Sequence, residues 1–272
     1  DRRTVKRNLM NLLDFDFGID YTEIIKKNEK GEEIPICTDW YITREFDDSE
    51  IRLLIDSVLF SKTIPQKQCK KLIDKLKGLS NIYFEKKVNH ICSLPEIRPE
   101  NKELFYTIDV LDEAISKGKK VSFIYNSYGT DKKLHPKRER EYVINPYQMV
   151  ATNGRYYLIC NYDKYDTLSN YRIDRITGIK MMNEKRKSIK ELKEGEINLP
   201  KHMAEHLYMF AGESIRVKFK AKNYIIDQII DWFGFGPKIT KQDEDTCMVE
   251  VEVNEEAFFH WAMQYGLHIE VL

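Results

Sequence analysis

Two groups of residues have types and spacings that could do chemistry. The first is "HMAEH", His202 to His206. Two histidines four apart face the same way on a helix, a geometry that can hold zinc. The pattern H-x-x-E-H occurs in inverted zinc peptidases. It fixes only three residues, so chance matches are expected, and no obvious helix supplies a third ligand. A zinc hydrolase using His202, Glu205 and His206 therefore stands as an alternative reading. The second group is "GRYYLICNYD", Gly154 to Asp163, followed by "YRIDRI", Tyr171 to Ile176. On a strand, Arg155, Tyr157 and Ile159 share one face, and Tyr156, Leu158 and Cys160 share the other. The second set is predicted to fill a core. Arg155 and Tyr157 are predicted to face outward, toward Arg172 and Arg175.

Arginine forks bind phosphate bidentately, and tyrosine rings stack on bases, so these residues suit a nucleotide or a single strand of nucleic acid. In the competing reading, Arg172 and Arg175 make structural salt bridges with Asp174 or other acidic neighbours. Residues 118–160 carry eight Lys or Arg against three acids, which favours unpaired arginine. Strict alternation forbids Arg172 and Arg175 from sharing a face of a regular strand. A bend or bulge near Asp174 is therefore predicted. Other enzyme signatures are missing: there is no GxSxG, no P-loop and no GxGxxG, and "GFGP" at Gly234 to Pro237 reads as a turn. His90, His135, His260 and His268 are isolated in sequence. No catalytic residue, metal or cofactor is predicted.

The elements that must position these residues follow from periodicity. In "DRRTVKRNLMNLL", Val5, Leu9 and Leu12 recur at helical spacing, with Asp1 as a candidate cap. Arg2, Arg3, Lys6 and Arg7 make this helix basic. "DYTEIIKK" and "IPICTDWYITREF" flank "NEKG", a hairpin signal with Lys26, Lys27 and Lys30 near its tip. A basic helix followed by a hairpin with a basic tip is the second half of a winged helix-turn-helix, whose first two helices would precede Asp1. Residues 47–79 read as two packing or dimer-forming helices, and 81–100 as an irregular linker. A third helix runs roughly over 101–116 and closes on Gly118. Residues 119–184 give five short strands and suggest a small, strongly bent barrel. Nine of the sixteen tyrosines fall there. A barrel so small is not expected to bury nine phenols, because each buried hydroxyl needs a partner. Many are therefore predicted to line a surface. Residues 185–212 read as a charged linker with one helix, "PKHMAEHLYMF". Residues 213–272 read as β-α-β-β-α-β, a ferredoxin-like order, with Asn254 capping the second helix.

Composition narrows the classes. The 272 residues carry 44 basic and 44 acidic side chains, so net charge argues against a general nucleic-acid coating protein but permits a local basic surface. No apolar run approaches the ~18 residues of a membrane helix, and there is no signal-peptide pattern. The five cysteines are scattered, which argues against a disulfide framework and fits the reduced cytoplasm.

The ordered set "INPYQMV", "NGRYYLICNYD" and "YRIDRITGI" resembles the WYL-domain transcriptional regulators of bacteria. Members carry a Pro-containing strand, then Trp-Tyr-Leu, then a strand ending in Asp-Arg-Ile. Here Tyr156 replaces the tryptophan, while Tyr157 and Leu158 match. "RRTVKRNL" is similar to the recognition-helix segment, and the final βαββαβ unit to the family's C-terminal extension. The resemblance implies an α+β, multi-domain chain. Its parts are a partial winged helix-turn-helix at 1–46, a helical linker or dimerisation region at 47–118, a small SH3/Sm-like barrel at 119–184, a linker at 185–212 and the ferredoxin-like domain at 213–272. It further implies a homodimer that binds a duplex DNA operator and senses a nucleotide or single-stranded nucleic-acid effector. The implied pocket residues are Ser122, Tyr125, His135, Arg155, Tyr157, Arg172 and Arg175. An RNA-binding adaptor using the Sm-like barrel is a further alternative.

Overall fold

The computed structural model of the chain describes residues 1–15, 17–28, 30–80, 84, 88, 101–193 and 195–272, and of Arg2 the backbone alone. Apart from Phe84 and Val88, the stretch 81–100 predicted as a linker lies outside the described residues, and so does His90. The chain divides into two compact units, one drawn from Asp1–Leu59 and Lys67–Leu94, the other from Phe60–Gln66 and Pro95–Leu272.

In the first unit, helix α1 (Arg2–Asp14) starts where the Asp1 carboxylate accepts a hydrogen bond from the Arg3 amide. This satisfies one of the amides that every helix start leaves open. Strands β1 (Ile19–Lys27) and β2 (Glu33–Ile42) pair antiparallel. Their turn is held by the Asn28 side chain, which accepts from the amides of Lys30 and Glu32. No described residue of α1, β1 or β2 is buried, and Val5 of the predicted apolar stripe is 58 % exposed. Helix α2 (Asp48–Phe60) is capped by the Asp47 carboxylate, and α3 (Gln66–Lys77) follows Pro65. Ile51 and Ile55 of α2, and Cys69 and Ile73 of α3, are their buried positions.

The second unit is mixed α/β, with a curled antiparallel sheet forming a half-barrel. Helix α4 (Leu104–Lys117) stops at Gly118, whose φ of 60° is the left-handed conformation glycine adopts without penalty. The sheet comprises β3 (Lys119–Tyr128), β4 (Leu134–Pro136), β5 (Tyr142–Thr152), β6 (Arg155–Asn161), β7 (Ser169–Arg172) and β8 (Ile176–Lys185). Its order is β4-β3-β5-β6-β7, and β8 folds back onto β3. Six strands therefore stand where five were predicted. The additional strand, β4, pairs only with Asn126–Tyr128 at the far end of β3. On the concave side Leu104, Leu111 and Ala114 of α4 pack against Val121, Phe123, Ile144, Leu158 and Ile173.

Residues 185–212 do more than link. Leu192 and Met209 are buried against Tyr147, Val150, Tyr157 and Ile159, with Leu199 and Met203 of helix α5 (Leu199–Glu205) packed alongside. This segment gives the sheet a second core on its convex face. The predicted helix "PKHMAEHLYMF" is shorter than expected. It stops at Glu205, and Tyr208 and Met209 both have φ of 59°. The chain continues through β9 (Ser214–Lys222), α6 (Ile226–Phe233), β10 (Lys238–Lys241), β11 (Thr246–Asn254), α7 (Glu255–Tyr265) and β12 (Ile269–Val271). The four strands are antiparallel in the order β10-β11-β9-β12, that of a split β-α-β pair. Alternation explains the face: Val217, Phe219 and Ala221 are buried, while Arg216 and Lys218 on either side of Val217 are exposed. Trp261 of α7 and Phe233 of α6 fill the same core. Among the described residues no helix is long and apolar enough to cross a membrane.

Candidate ligand-binding site

The turn Asn153-Gly154 sets the start of β6. Both residues have positive φ, 50° and 71°, as the two central positions of a type I′ hairpin require. A Cβ on Gly154 would lie 2.9 Å from the Phe60 carbonyl oxygen, so the position is closed to a side chain on two counts. From there β6 alternates as predicted. Leu158 and Cys160 enter the concave core with Tyr156 beside them, and Tyr157 and Ile159 point the other way. The convex face is not open, however. Tyr157 is 8 % exposed, because Leu168, Leu192 and Met209 cover it. The outward tyrosine of the sequence reading is a packed one.

Tyr157 lies opposite Arg172 in the β6–β7 register, and directly paired residues share a face. Strand β7 ends at Arg172, and a 3-10 turn over Ile173–Arg175 supplies the bend that alternation demanded. Two asparagines clamp this turn through their side-chain amides. Asn101 donates to the carbonyls of Asp174 and Ile176, at 3.1 and 2.7 Å. Asn126 donates to the carbonyl of Arg175 and to the hydroxyl of Thr177. Both are buried, and neither carried any signal in the sequence.

The three arginines divide into two kinds. Arg172 makes a bidentate pair with Asp174, 3.0 Å from Nε and 2.6 Å from the terminal nitrogen, and the Asp174 side chain is 1 % exposed. Burial alone would lower the Arg172 guanidinium, but the hydrogen bonds to Asp174 and its negative charge together outweigh it and hold the charge in place. For Arg172, therefore, the geometry is that of the structural ion pair. Arg155 and Arg175 have no ion-pair partner among the described residues, and Arg175 Nε is buried without a hydrogen-bond acceptor. The Arg175 guanidinium lies 6.0 Å from the Tyr128 ring. Burial pushes the Tyr157 phenol up, against the pull of Arg172 and then Arg155, with Asp174 and Arg175 also within its field. The Tyr125 hydroxyl accepts from the Arg172 amide at 3.3 Å, and burial raises its phenol while Arg175 and Arg172 both pull it down. Arg155, Tyr157, Arg172, Arg175 and Tyr125 are thus brought together, with three cations against one carboxylate. That surplus suits an anion.

Ser122 and His135 are not brought into this group by any hydrogen bond, ion pair or ring contact. Ser122 is buried on β3 between Val143 of β5 and Lys180 of β8. His135 is exposed and bonds both oxygens of Asp131 through Nε2. The expectation of a tyrosine-lined surface also needs correction. Tyr125, Tyr142, Tyr147 and Tyr157 are buried, Tyr156, Tyr162 and Tyr171 are half-buried, and Tyr128 and Tyr165 alone of the nine are exposed. Tyr125 and Tyr171 pack edge to face on Phe123 and Tyr142 stacks on it, with Tyr125 edge-on to Tyr171 at 4.7 Å. Some hydroxyls find partners from outside the five predicted strands. Tyr147 donates to the Lys187 carbonyl and Arg138 donates to the Tyr162 oxygen, which within the strands also accepts from Tyr171. Arg138 also lies 3.3 Å over the Tyr142 ring. With Lys120 bonded to Asp163 and Glu184, part of the local positive charge is used inside the fold.

Among the described residues the histidine pair has no third ligand for a metal. His202 and His206 stack with ring centroids 4.3 Å apart, and the His206 Nδ1 is 2.9 Å from the Phe210 carbonyl oxygen. Glu205 accepts from Ser214 and pairs with Lys201. Among the described residues no three His, Cys, Asp or Glu side chains are placed to hold a metal. The segment instead ties two cores together, Met203 and Met209 packing on the curled sheet and Leu207 on the C-terminal sheet. As for the basic side chains of the first unit, Arg3, Lys6 and Arg7 on α1 and Lys26, Lys27 and Lys30 on the hairpin are all exposed, and the Arg2 side chain lies outside the description.

No curated protein matches the chain. Among solved structures it is similar to Proteasome accessory factor B/C (PafBC) of Arthrobacter aurescens, at 12% identity and a TM-score of 0.35, covering 88% of this chain and 37% of that one. The chain thus spans well under half the length of that structure. The family model of the WYL domain matches residues 106–181, from the first turn of α4 through the Asp-Arg-Ile turn and into β8. Residues 106–181 of this chain therefore form a WYL domain.

Proposed function

We propose that the chain is a ligand-responsive, DNA-binding transcriptional regulator. The observation that carries this reading is the WYL match over residues 106–181, together with the surplus of arginine gathered beside Tyr157 within it. Arg155 and Arg175 hold an anionic effector, nucleotide-like or single-stranded, while Arg172 and Asp174 fix the turn that presents Arg175. Residues 1–46 serve as part of a winged helix-turn-helix. Arg2, Arg3, Lys6 and Arg7 meet phosphates and base edges, and the hairpin tip with Lys26, Lys27 and Lys30 meets backbone phosphate. The exposure of the six described cations supports that role. The Sm-like barrel at 119–184 and the ferredoxin-like unit at 213–272 pass the effector's state to a homodimeric DNA-binding end in the cytoplasm. Effector and operator are coupled because each favours a particular conformation of the chain.

Salt dependence tests the DNA-binding half. Each phosphate neutralised contributes about −0.9 to the slope of log affinity against log salt, so six contacts give a slope of about −5. Fluorescence anisotropy of the full-length protein with labelled duplex DNA measures it. An affinity that does not change between low and moderate salt overturns the proposal.

A further inference from the structure

A cleft of about 280 Å³ lies between the β5–β6 turn, helix α5 and the C-terminal end of α6. Thr152 and Asn153 form one side, Met203 and Pro200 another, and Tyr208, Asp231 and Trp232 the rest. The Tyr208 and Trp232 rings meet at 5.0 Å, tilted by 45°. Tyr208 is held there firmly: its backbone is left-handed, unusual for an aromatic residue, and its hydroxyl accepts from the Gln264 amide at 2.6 Å. Asp231, by contrast, has no hydrogen-bond or ion-pair partner among the described residues. No lysine or arginine lines the cleft; of the other titratable side chains on its wall, Tyr208 is bonded to Gln264 and His206 to the Phe210 carbonyl through Nδ1.

Two aromatic rings and an unpaired carboxylate share one electrostatic preference. Ring faces carry negative potential, and a cation over them is held best where a desolvated wall surrounds it. The volume is just below that of drug-sized pockets, which sets the ligand at a handful of non-hydrogen atoms. We propose that this cleft binds a small organic ammonium ion, its cationic head against Trp232 and Tyr208 and paired with Asp231. The site is separate from the arginine group, takes the opposite charge, and stands whether or not the chain regulates transcription.

The test uses the whole chain and choline as the probe, followed by calorimetry and by tryptophan fluorescence. The control is 3,3-dimethyl-1-butanol, which has the same shape without the charge. Choline is expected to bind saturably and the neutral isostere about two- to thirty-fold more weakly, the range that cation–π attraction spans. Asp231→Asn, at an exposed position, is expected to weaken choline about two- to fivefold and leave the isostere unchanged. Equal affinity for choline and its isostere overturns the proposal, as does an Asp231→Asn variant that binds choline like the parent. Absence of saturation by about 10 mM choline overturns it as well. The isostere comparison needs no variant, so it holds even if a substitution perturbs folding.

Discussion

Replacing Arg172 by alanine removes both hydrogen bonds to Asp174 and strands a carboxylate that is 1 % exposed. Arg172 itself is 14 % exposed at the side chain, so little water reaches the gap. Breaking a buried pair from one side costs about 3–5 kcal/mol, against about 0–1 kcal/mol for an exposed pair. Domains of this kind are stable by about 5–15 kcal/mol, so the loss is a large fraction of the total. With a urea slope of about 2 kcal/mol per molar, the unfolding midpoint should fall by about 2 M. The companion variant, Arg172→Met with Asp174→Leu, removes both charges together and should recover most of the loss, giving a coupling energy above about 2 kcal/mol. Urea unfolding followed by circular dichroism reads all three proteins. An Arg172→Ala variant that loses less than about 1 kcal/mol would refute the reasoning. The guanidinium would then be free to serve a ligand, and the division of the arginines into one structural and two available would fail.

Other expected outcomes follow from the same packing. Burial, helped by His206, lowers His202 to about 4, below the usual histidine value of about 6.5. The unfolded chain then takes up a proton that the folded chain excludes, so stability should fall as pH drops from about 6.5 to about 4, by up to about 3 kcal/mol. His202→Phe should flatten that part of the pH profile, and an unaltered profile would contradict the assignment. Gly154→Ala places a methyl group 2.9 Å from a carbonyl oxygen at φ 71° and should cost about 2 kcal/mol or more in thermal or urea unfolding. Asn254 caps α7 by accepting from the Ala257 amide, and its own amide reaches the carbonyls of Ala211 and Glu213. Asn254→Ala should therefore cost about 1–3 kcal/mol, more than an exposed cap.

Where periodicity is local, the sequence was a sufficient guide. The alternation of Val217, Phe219 and Ala221 with Arg216 and Lys218, and the Asn254 cap, made the order of the last six elements readable. The hairpin Ile19–Ile42 and the glycine stop at Gly118 were readable for the same reason. Strand β4 was not, because "LHP" is three residues long and has no alternation of its own. The second core was invisible because Leu192 and Met209, which cover Tyr157, come from a charged segment some way along the chain. The same distance hid the partner of the Tyr147 hydroxyl, the Lys187 carbonyl. At the arginine group, alternation correctly demanded a bend near Asp174. Which arginine would take Asp174 depends on the 3-10 turn and on Asn101 and Asn126, and no spacing rule encodes that.

The central claim is that Arg155 and Arg175 form an anion-binding site in the WYL domain. The direct measurement is the affinity of the whole chain for a short single-stranded oligonucleotide, compared with the Arg155→Ala, Arg175→Ala double variant. Two lost charge-assisted contacts of about 1.5–3 kcal/mol each should weaken binding at least a hundredfold. Unfolding should be nearly unchanged, because neither side chain has an ion-pair partner to strand among the described residues. A folded double variant that binds the oligonucleotide as tightly as the parent would contradict the account.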